Sequence, residues 1–456
     1  MPTPRKNQTL TLKIEALTAE GSGVGRSEGF AVFVRGGVPG DEVEAHVIKA
    51  KKHYAVAKVT RVLSASPHRI PNDCPLFPRC GGCALRELEY GFEAEEKQRR
   101  VEDAFRRLAH MEVPCEEILT PAAAERYRNK AQYPVARADK KVQIGFYAPR
   151  SHRVIDCTDC LLQPAEFAEI VRVFRTFLEE FDISIYNADT HEGLVRHLYL
   201  RKGFVSGEIM VCVVINGGVL PHADTLVARL LELHAGIASI QLNRNTERTN
   251  VILGALCTVL WGAPYITDTL CGIRVRLSPQ SFYQVNRDMA ERLYGKAAEF
   301  AGLTGQETVL DLYCGTGLIG LSMARKIGRL YGAEIVPEAV EDARRNAAEN
   351  GIENAEFFCG DAGDASARLQ TLGVHPDVVL LDPPRKGCGE QVLETVAAMQ
   401  PQKIVYISCD PATLARDCAR LRPLGYTVRR LAAADLFPRT SHVESVCLLV
   451  RTGDAV

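Results

Sequence analysis

The chain has 456 residues, of which 46% are hydrophobic and 24% charged, with a formal net charge of −1 at pH 7. These proportions fit a globular protein of two to four domains, and they exclude a disordered or collagen-like chain. The longest apolar stretch, at residues 251–261, is far shorter than the roughly 20 residues of a membrane helix. The start of the chain is polar and basic, so we expect a cytoplasmic protein without a signal peptide.

Charge and cysteine content narrow the classes further. Residues 1–70 contain eleven Lys or Arg against six Asp or Glu, and the remainder of the chain is net acidic. A basic end can contact phosphates, although a solvated basic face explains the same pattern equally well. Fifteen cysteines in a cytosolic chain indicate reduced thiols, a metal centre or a catalytic thiol rather than disulfides.

Short strands with glycine turns fill the first part of the chain, and we assign residues 1–64 to a first domain. Even spacing of such strands predicts a small closed barrel of the OB type, which commonly binds oligonucleotides. The predicted strands are residues 9–16, 30–34, 41–49 and 54–63, and the predicted turns are residues 21–25 and 36–40.

Residues 65–270 form a predicted central domain of mixed helices and strands. It opens with a cysteine-bearing loop at residues 74–83, and a long amphipathic helix is predicted over residues 84–108. Four thiolates suit an iron–sulfur cluster or a structural zinc about equally, and unligated thiols are a third reading. The four candidate ligands are Cys74, Cys80, Cys83 and, far downstream, Cys160.

Residues 271–456 form the predicted third domain. Strand and helix patterns alternate from about residue 305, which predicts a Rossmann-like α/β fold with a parallel sheet flanked by helices. The predicted strands are residues 308–313, 329–335, 377–381, 403–408 and 446–450, and one predicted helix is residues 337–350.

Residues 311–317 form a glycine-rich turn between a predicted strand and a helix. Gly315 and Gly317 let the backbone approach a nucleotide-like ligand, and Glu334 ends the next strand, where a carboxylate can accept both ribose hydroxyls. The turn lacks a Walker lysine and the full dinucleotide fingerprint, which favours S-adenosylmethionine over ATP or NAD. Asp361, after the third strand, is a candidate adenine contact or an exposed loop aspartate.

Two later strand ends carry candidate chemistry. Paired prolines after Asp382 stiffen a loop that can present this carboxylate to the edge of a planar base. Cys409 follows the strand at residues 403–408. A thiolate adding to carbon 6 of uracil turns carbon 5 into a nucleophile for a methyl group. We expect nearby positive charge and a helix beginning at Pro411 to help ionise Cys409.

Three further residues complete the candidate site. Glu444 is the candidate base that removes the proton from carbon 5 after methyl transfer, and His442 is a rival for that task. A base inside structured RNA must be extruded before it reacts, and stacking on Phe282 can offset part of that cost. Taken alone, Phe282 is more often a core residue.

In combination, these motifs resemble the bacterial RNA uracil-5-methyltransferases, most closely the iron–sulfur-containing 23S ribosomal RNA branch. The resemblance covers nearly the whole chain, because residues 9–63 look like the TRAM barrel of that branch. It implies a Rossmann-like methyltransferase domain preceded by a TRAM barrel and a central α+β iron–sulfur domain. It rests on Phe282 with Gln284 and on residues 311–317, 382–385, 408–411 and 442–445.

The resemblance also implies residue roles. Cys409 is the nucleophile, Glu444 the base and Phe282 the stacking residue, whereas Asp382 serves both the substrate and the cofactor pocket. Gln284, Tyr313 and Glu334 match cofactor contacts. The four ligands of a [4Fe–4S] cluster are matched by Cys74, Cys80, Cys83 and Cys160.

The implied substrate is 23S ribosomal RNA, because a tRNA-modifying branch generally lacks both the barrel and the cluster. A tRNA uracil-5-methyltransferase and a non-catalytic RNA-binding assembly factor are the alternatives. We expect a monomer with no obligate protein partner and no membrane association.

Overall fold

In the computed structural model, which describes residues 4–139 and 141–453, the chain begins with a closed five-stranded barrel. Alternate side chains such as Leu10, Leu12 and Ile14 point inward and fill its core. The predicted barrel is therefore confirmed. Its strands are β1 (Thr9–Leu17), β2 (Gly23–Ser27), β3 (Phe30–Arg35), β4 (Glu42–Ala50) and β5 (Tyr54–Ser64), bonded in the order β1-β2-β3-β5-β4.

The prediction of a turn over residues 21–25 is wrong, because Gly23 and Gly25 belong to β2. A Cβ atom on Gly23 would lie 2.8 Å from Ile14 Cγ2 and 2.9 Å from the carbonyl oxygen of Gly37. Glycine is needed there for close packing between strands. Gly21, with φ +79°, does take a turn conformation.

The prediction of a helix over residues 84–108 is also wrong at its start. Helix α1 (Tyr90–Ala104) begins where the Glu89 carboxylate accepts hydrogen bonds from the amides of Gly91 and Phe92, each at 2.8 Å, and one wider turn continues it to Ala109. The backbone before α1 is instead bonded to a distant part of the chain, because the Arg439 carbonyl accepts hydrogen bonds from the amides of Ala84 and Leu85. Composition favoured a longer helix, and tertiary contacts overrode it.

The central segment divides between two sheets. Strand β6 (Ile118–Leu119) pairs in parallel with residues 433–434 and so joins the C-terminal sheet. A seven-stranded sheet follows, in the order β13-β12-β11-β10-β7-β8-β9, and two helices pack on one face. Its elements are β7 (Lys130–Ala138), β8 (Lys141–Tyr147), β9 (Val154–Asp156), α2 (Ala165–Glu180), β10 (Val195–Lys202), β11 (Ile209–Ile215), α3 (Ala223–Leu233), β12 (Ile237–Arg244) and β13 (Leu256–Gly262).

A hairpin and a helix lead into the third sheet: β14 (Ile266–Leu270), β15 (Ile273–Leu277) and α4 (Arg287–Ala301). Eight strands then align in the order β18-β17-β16-β19-β20-β22-β21-β6, with hydrophobic cores on both faces. The predicted Rossmann-like α/β fold is confirmed. Its elements are β16 (Thr308–Leu312), α5 (Leu318–Met323), β17 (Arg329–Glu334), α6 (Pro337–Glu349), β18 (Ala355–Cys359), α7 (Ala362–Thr371), β19 (Val378–Leu381), α8 (Glu390–Ala398), β20 (Lys403–Ser408), α9 (Pro411–Leu421), β21 (Tyr426–Ala434) and β22 (Glu444–Arg451).

The direction of these strands defines one functional edge. Strands β16 to β20 are mutually parallel, so their carboxyl ends meet at the same side of the sheet. Strand β22 runs antiparallel to β20 and therefore begins at that side. No helix in the part of the chain described here is long and apolar enough to cross a membrane.

Candidate active site

A cavity of about 1910 Å³ opens at the carboxyl edge of the eight-stranded sheet. Parallel α/β sheets commonly bind ligands at this edge. The cavity brings together most of the residues predicted from sequence, together with His442. These residues are Phe282, Gln284, Tyr313, Gly315, Glu334, Asp382, Cys409 and Glu444.

The glycine turn after β16 approaches the next strand closely. The Gly315 amide donates to Glu334 Oε2 at 3.1 Å, and the Val336 amide donates to Oε1 at 3.0 Å, so backbone bonds orient this carboxylate. Gly317, with φ +78°, does not line the cavity, and a Cβ there would lie 2.9 Å from the Phe357 ring. Glycine at this position is required for packing beneath the turn.

Asp361 lies outside the cavity lining. It caps α7, since its Oδ1 accepts from the amides of Gly363 and Asp364 at 2.8 and 3.1 Å. The Asp364 carboxylate in turn accepts the Asp361 amide at 3.0 Å, which completes a capping box. A structural role is therefore visible for Asp361, and its contact with a cofactor stays a prediction.

Cys409 and Glu444 lie at matching positions of neighbouring strands. Ser408 of β20 pairs with Ser445 of β22, and in an antiparallel pair the next residue of one strand faces the preceding residue of the other. The register thus places Cys409 opposite Glu444, and both residues line the cavity. Glu444 is only 6% exposed, whereas Cys409 is half-buried.

The expected help from nearby positive charge is present at Cys409, but other groups act against it. The pKa of the thiol is raised to about 11: burial is the largest cause, the neighbouring carboxyl groups of Glu444 and Asp382 add to it, and Arg385 partly offsets it. Asp410 occupies the cap position of α9, where its side chain accepts the Ala412 and Thr413 amides. Burial therefore outweighs the available positive charge.

The acidic groups around the thiol are themselves shifted toward the neutral form. Burial raises the pKa of Glu444 to about 8, and it raises those of Asp382 and Asp311 to about 7. Protons on Glu444 and Asp382 would remove two of the charges that disfavour a Cys409 thiolate. Asp311 lies beneath the turn, where one carboxylate oxygen accepts the Gly320 amide at 3.0 Å and the other has no partner.

Phe282 is not a core residue, because 66% of its surface is exposed. Its loop, residues 278–286, is anchored from the central sheet by the buried Arg201, whose guanidinium donates to the carbonyls of Ser278 and Ser281, each at 2.8 Å. Asn129 donates to the Gln284 carbonyl at 2.8 Å. The seven-stranded sheet thus positions a wall of the catalytic cavity.

Sequence reasoning missed some residues of the site. Tyr294 lines the cavity from α4, but in the sequence it is one aromatic residue of an amphipathic helix and is typical of core. Asp417 is fully buried on α9 and accepts the Tyr406 hydroxyl and the Cys388 amide, each at 2.8 Å, which fixes the loop after Asp382. A charged residue on the apolar side of α9 was the available signal.

A second, smaller cavity of about 230 Å³ lies at the cysteine-bearing loop. It is lined by the four predicted ligands Cys74, Cys80, Cys83 and Cys160, and also by Cys157. Three cationic side chains, Arg86, Arg128 and Lys130, share this lining, so positive charge is available to balance bound thiolates. The lining thus offers soft sulfur donors in cationic surroundings.

Two arginines hold the segments of this second cavity together. Arg86, 1% exposed, pairs with Asp73 and Glu125 at 2.6 Å each, and Arg126 pairs with Asp159 at 2.6 Å. Within residues 4–139 and 141–453, no group of three or more His, Cys, Asp or Glu side chains is found that could hold a metal ion, and the set of four cluster ligands stays a prediction.

Comparisons with known proteins agree with the chemistry that the residues of the larger cavity suggest. The profile of the tRNA (uracil-5-)-methyltransferase family matches residues 263–452, and the TRAM domain profile matches residues 5–60. Uncharacterized RNA methyltransferases of Clostridium tetani and Halalkalibacterium halodurans are each 42% identical to this chain. They match over 99% and 97% of this chain and over 98% and 97% of their own lengths.

A solved structure extends the similarity to the whole fold. The Pyrococcus abyssi tRNA (uracil-54, C5)-methyltransferase in complex with S-adenosyl-L-homocysteine superposes with a TM-score of 0.79 at 27% identity, covering 97% of this chain and all of that one. Two findings establish the family of this chain. It is similar over its full length, at about 40% identity, to RNA methyltransferases, and the family profile matches the domain that carries the catalytic cavity. The chain belongs to the RNA uracil-5-methyltransferase family and is an enzyme.

Proposed function

We propose that the protein methylates carbon 5 of a uridine in 23S ribosomal RNA, using S-adenosylmethionine and a covalent bond between Cys409 and carbon 6. The observation that carries the proposal is the register of β20 and β22, which sets Cys409 opposite Glu444 in the cavity that also holds Phe282, Asp382 and Glu334. A nucleophile and a buried carboxylate facing each other in one cavity suit addition and later elimination at adjacent ring carbons.

The reaction proceeds by bond formation and release at two ring carbons. The Cys409 thiol loses its proton to solvent, its sulfur adds to carbon 6, and the electron pair of the 5,6 double bond moves toward carbon 5 and the carbonyl at carbon 4. Carbon 5 would then take the methyl group that bound S-adenosylmethionine supplies, with the electrons of the broken methyl–sulfur bond staying on the cofactor sulfur. Glu444 removes the remaining proton from carbon 5, the double bond re-forms and the sulfur leaves carbon 6. Phe282 stacks on the extruded base.

The cofactor half of the cavity fits a nucleoside. Glu334 is held by two backbone amides at the end of β17, where its carboxylate can accept ribose hydroxyls, while Tyr313 and Gln284 line the same space. The turn at Gly315, whose Cβ position is open, admits the ligand against the backbone. A structural neighbour with bound S-adenosyl-L-homocysteine supports this assignment.

The same proposal includes a [4Fe–4S] cluster held by Cys74, Cys80, Cys83 and Cys160. All four thiols line the 230 Å³ cavity beside three cationic side chains, which fits a cluster with net negative charge. Cys157 lines the cavity as well. The ligand set therefore needs a direct test of Cys157 against Cys160.

A second candidate substrate is tRNA. The Pyrococcus abyssi enzyme, named for uracil 54 of tRNA, matches 97% of this chain, a span that includes the barrel. A barrel by itself therefore does not separate the two substrate classes. The curated relatives at 42% identity are named only as RNA methyltransferases.

The deciding experiment is methylation with labelled S-adenosylmethionine of unmodified 23S ribosomal RNA and unmodified tRNA, each offered alone and in competition. Methylated positions are mapped by nuclease digestion and mass spectrometry. We expect 5-methyluridine in 23S RNA. Label confined to tRNA would retain the chemistry and replace the substrate, and RNA binding without label would favour an assembly factor.

The proposed base is tested against its rival His442, which also lines the cavity. Glu444→Gln should allow methyl transfer but block proton removal, so a protein–RNA adduct that survives denaturing electrophoresis accumulates. His442→Gln should release product without such accumulation. The opposite pattern would assign the proton to His442.

A further inference from the structure

The loop between β21 and β22, residues 435–443, carries His442 and leads directly into Glu444. It is held by hydrogen bonds that come from distant parts of the chain. These bonds are Asn286 Nδ2 to the Leu436 carbonyl (3.0 Å), the Tyr127 hydroxyl to the Pro438 carbonyl (3.1 Å), Arg100 Nη1 to the Ser441 carbonyl (2.5 Å), and the amides of Ala84 and Leu85 to the Arg439 carbonyl (2.9 and 3.1 Å).

Arg439 occupies the centre of this loop in a strained conformation, with φ +67°. Such a backbone persists in a residue other than glycine only where the surroundings fix it, and active sites are a common place for it. The backbone and one end of the guanidinium are hydrogen-bonded, whereas the buried Nε has no partner. Its amide donates to Glu93 Oε1 at 2.8 Å, its guanidinium donates to the Leu88 carbonyl at 2.8 Å, and its carbonyl accepts two amides.

Beneath the loop lies a buried group of charges. Lys97, 3% exposed, donates to Glu93 Oε1 at 2.7 Å and to Asp435 Oδ1 at 2.8 Å, and both carboxylates are fully buried. The Tyr90 hydroxyl donates to the other Asp435 oxygen at 3.0 Å. Buried charges of this kind tolerate little displacement of their partners, so they fix the start of the loop to α1.

The barrel and the segment directly after the cysteine-bearing loop meet the 435–443 loop at the same place. Ala84 and Leu85, which donate to Arg439, follow Cys83 directly in the chain. A Cβ on Gly21 of the barrel would lie 3.0 Å from Ala84 Cβ and 3.6 Å from Ser441 Cβ, so the three segments are in contact.

We propose that Arg439 is a positioning residue that holds the 435–443 loop so that Glu444 and His442 face Cys409, and that ties this loop to the segment following Cys83. The inference rests on the proposed function of Glu444. It assigns the segment directly after the cysteine-bearing loop a mechanical part in the reaction, because the amides of Ala84 and Leu85 fix the backbone that leads to Glu444.

The test compares Arg439→Ala and Arg439→Lys in the full-length protein. We expect Arg439→Ala to lower kcat about 100-fold, the scale of a misplaced catalytic group, with KM for S-adenosylmethionine changed less than about threefold. Amides of residues 436–443 should exchange hydrogen faster. Arg439→Lys keeps the positive charge beside Glu93 and should recover part of kcat. If Arg439→Ala does not fold, kcat and the hydrogen exchange of residues 436–443 are both measured on Arg439→Lys, where smaller changes in the same direction are expected.

Arg69→Ala is the matched control. Arg69 is buried to a similar degree (13% exposed against 11% for Arg439) and also pairs with carboxylates, Asp41 and Glu87, but it holds the barrel rather than the 435–443 loop. We expect it to lower Tm and leave kcat and loop exchange unchanged. Unchanged kcat and exchange in Arg439→Ala, or an equal loss of kcat in Arg69→Ala, would overturn the proposal.

The exchange measurement separates this inference from the proposed function. If Glu444→Gln turns over normally while Arg439→Ala still speeds loop exchange and lowers kcat, the base assignment fails and the positioning role stands. If Glu444→Gln traps the adduct while Arg439→Ala behaves as wild type, the positioning role fails alone.

Discussion

The two cavities of this protein are built in different ways. The catalytic cavity is formed by residues that stand at the ends of strands in one sheet, such as Glu334, Asp382 and Cys409. The cysteine cavity is formed by a loop at residues 74–83 and by a second segment near Cys160, joined through side-chain ion pairs of Arg86 and Arg126.

The difference explains why one site can be derived from local pattern and the other cannot. In a parallel sheet, the residue after each strand must reach the same edge, so strand prediction alone brings the site together. No comparable rule connects Cys83 with Cys160, because their proximity depends on long-range contacts of irregular backbone.

The largest expected effect is the loss of methylation in Cys409→Ala. The thiol is the only covalent partner in the proposed reaction, so the rate should fall by about 10⁴-fold or more. RNA affinity should stay within about threefold, because one half-buried thiol adds little contact area. The measurements are transfer of labelled methyl groups and filter binding of RNA.

Cys271→Ala controls for the substitution itself, since Cys271 is half-buried and outside the cavity lining. It should keep wild-type activity. Substantial turnover by Cys409→Ala would remove the covalent step from the proposal.

The next effect concerns the cysteine cavity and separates two neighbouring thiols. Cys160→Ser should lose most of the roughly four irons per chain of a [4Fe–4S] protein, together with its visible absorbance. Cys157→Ser should retain both, since Cys157 is the lining cysteine outside the predicted ligand set. Iron content, absorbance and Tm of anaerobically purified variants check this, and the reverse result would exchange the two assignments.

Much of the fold follows from pattern, and its exceptions have physical causes. Strand β20 is largely apolar, and its predicted bounds, residues 403–408, are those observed. Strand β2 was missed because Gly23 and Gly25 read as a turn, whereas packing against Ile14 excludes larger residues there. The start of α1 was predicted too early because the residues before Glu89 favour a helix as strongly as those after it. Composition alone therefore does not show that the helix begins after the Glu89 cap.

The electrostatics of the site were less accessible from sequence. That Cys409 follows a strand could be read directly, but its protonation depends on burial and on Glu444 and Asp382, which are distant in the chain. The contribution of Arg201 was also invisible, because a charged residue within the buried strand β10 gives no indication of which loop it anchors.

A smaller effect tests these electrostatics through stability. Glu444 has a pKa raised to about 8 in the folded protein, above the usual value of about 4.3 for glutamate in an unfolded chain. Between these values the unfolded chain releases a proton that the folded protein keeps. The free energy of unfolding should therefore fall with rising pH by about 1.4 kcal/mol per pH unit from this group.

Glu444→Gln cannot ionise and should remove this group's share of the slope. Urea unfolding at pH 5, 6, 7 and 8 checks the prediction, with the difference between wild type and variant growing in favour of the variant as pH rises. A constant difference across that range would mean that Glu444 is already ionised in the folded protein.

The smallest effect distinguishes two tasks of Asp361. Its Oδ1 caps α7, while its other carboxylate oxygen remains available for the predicted adenine contact. Asparagine is also a good cap, but its single oxygen would be occupied by the helix. Asp361→Asn should therefore preserve stability and weaken S-adenosylmethionine binding about two- to tenfold, as expected for one hydrogen bond.

Asp361→Ala should show the same loss of affinity and also lose about 1 kcal/mol of stability. Calorimetric binding and urea unfolding of both variants separate the tasks. Wild-type affinity for S-adenosylmethionine in Asp361→Asn would mean that Asp361 only caps α7 and does not contact the cofactor.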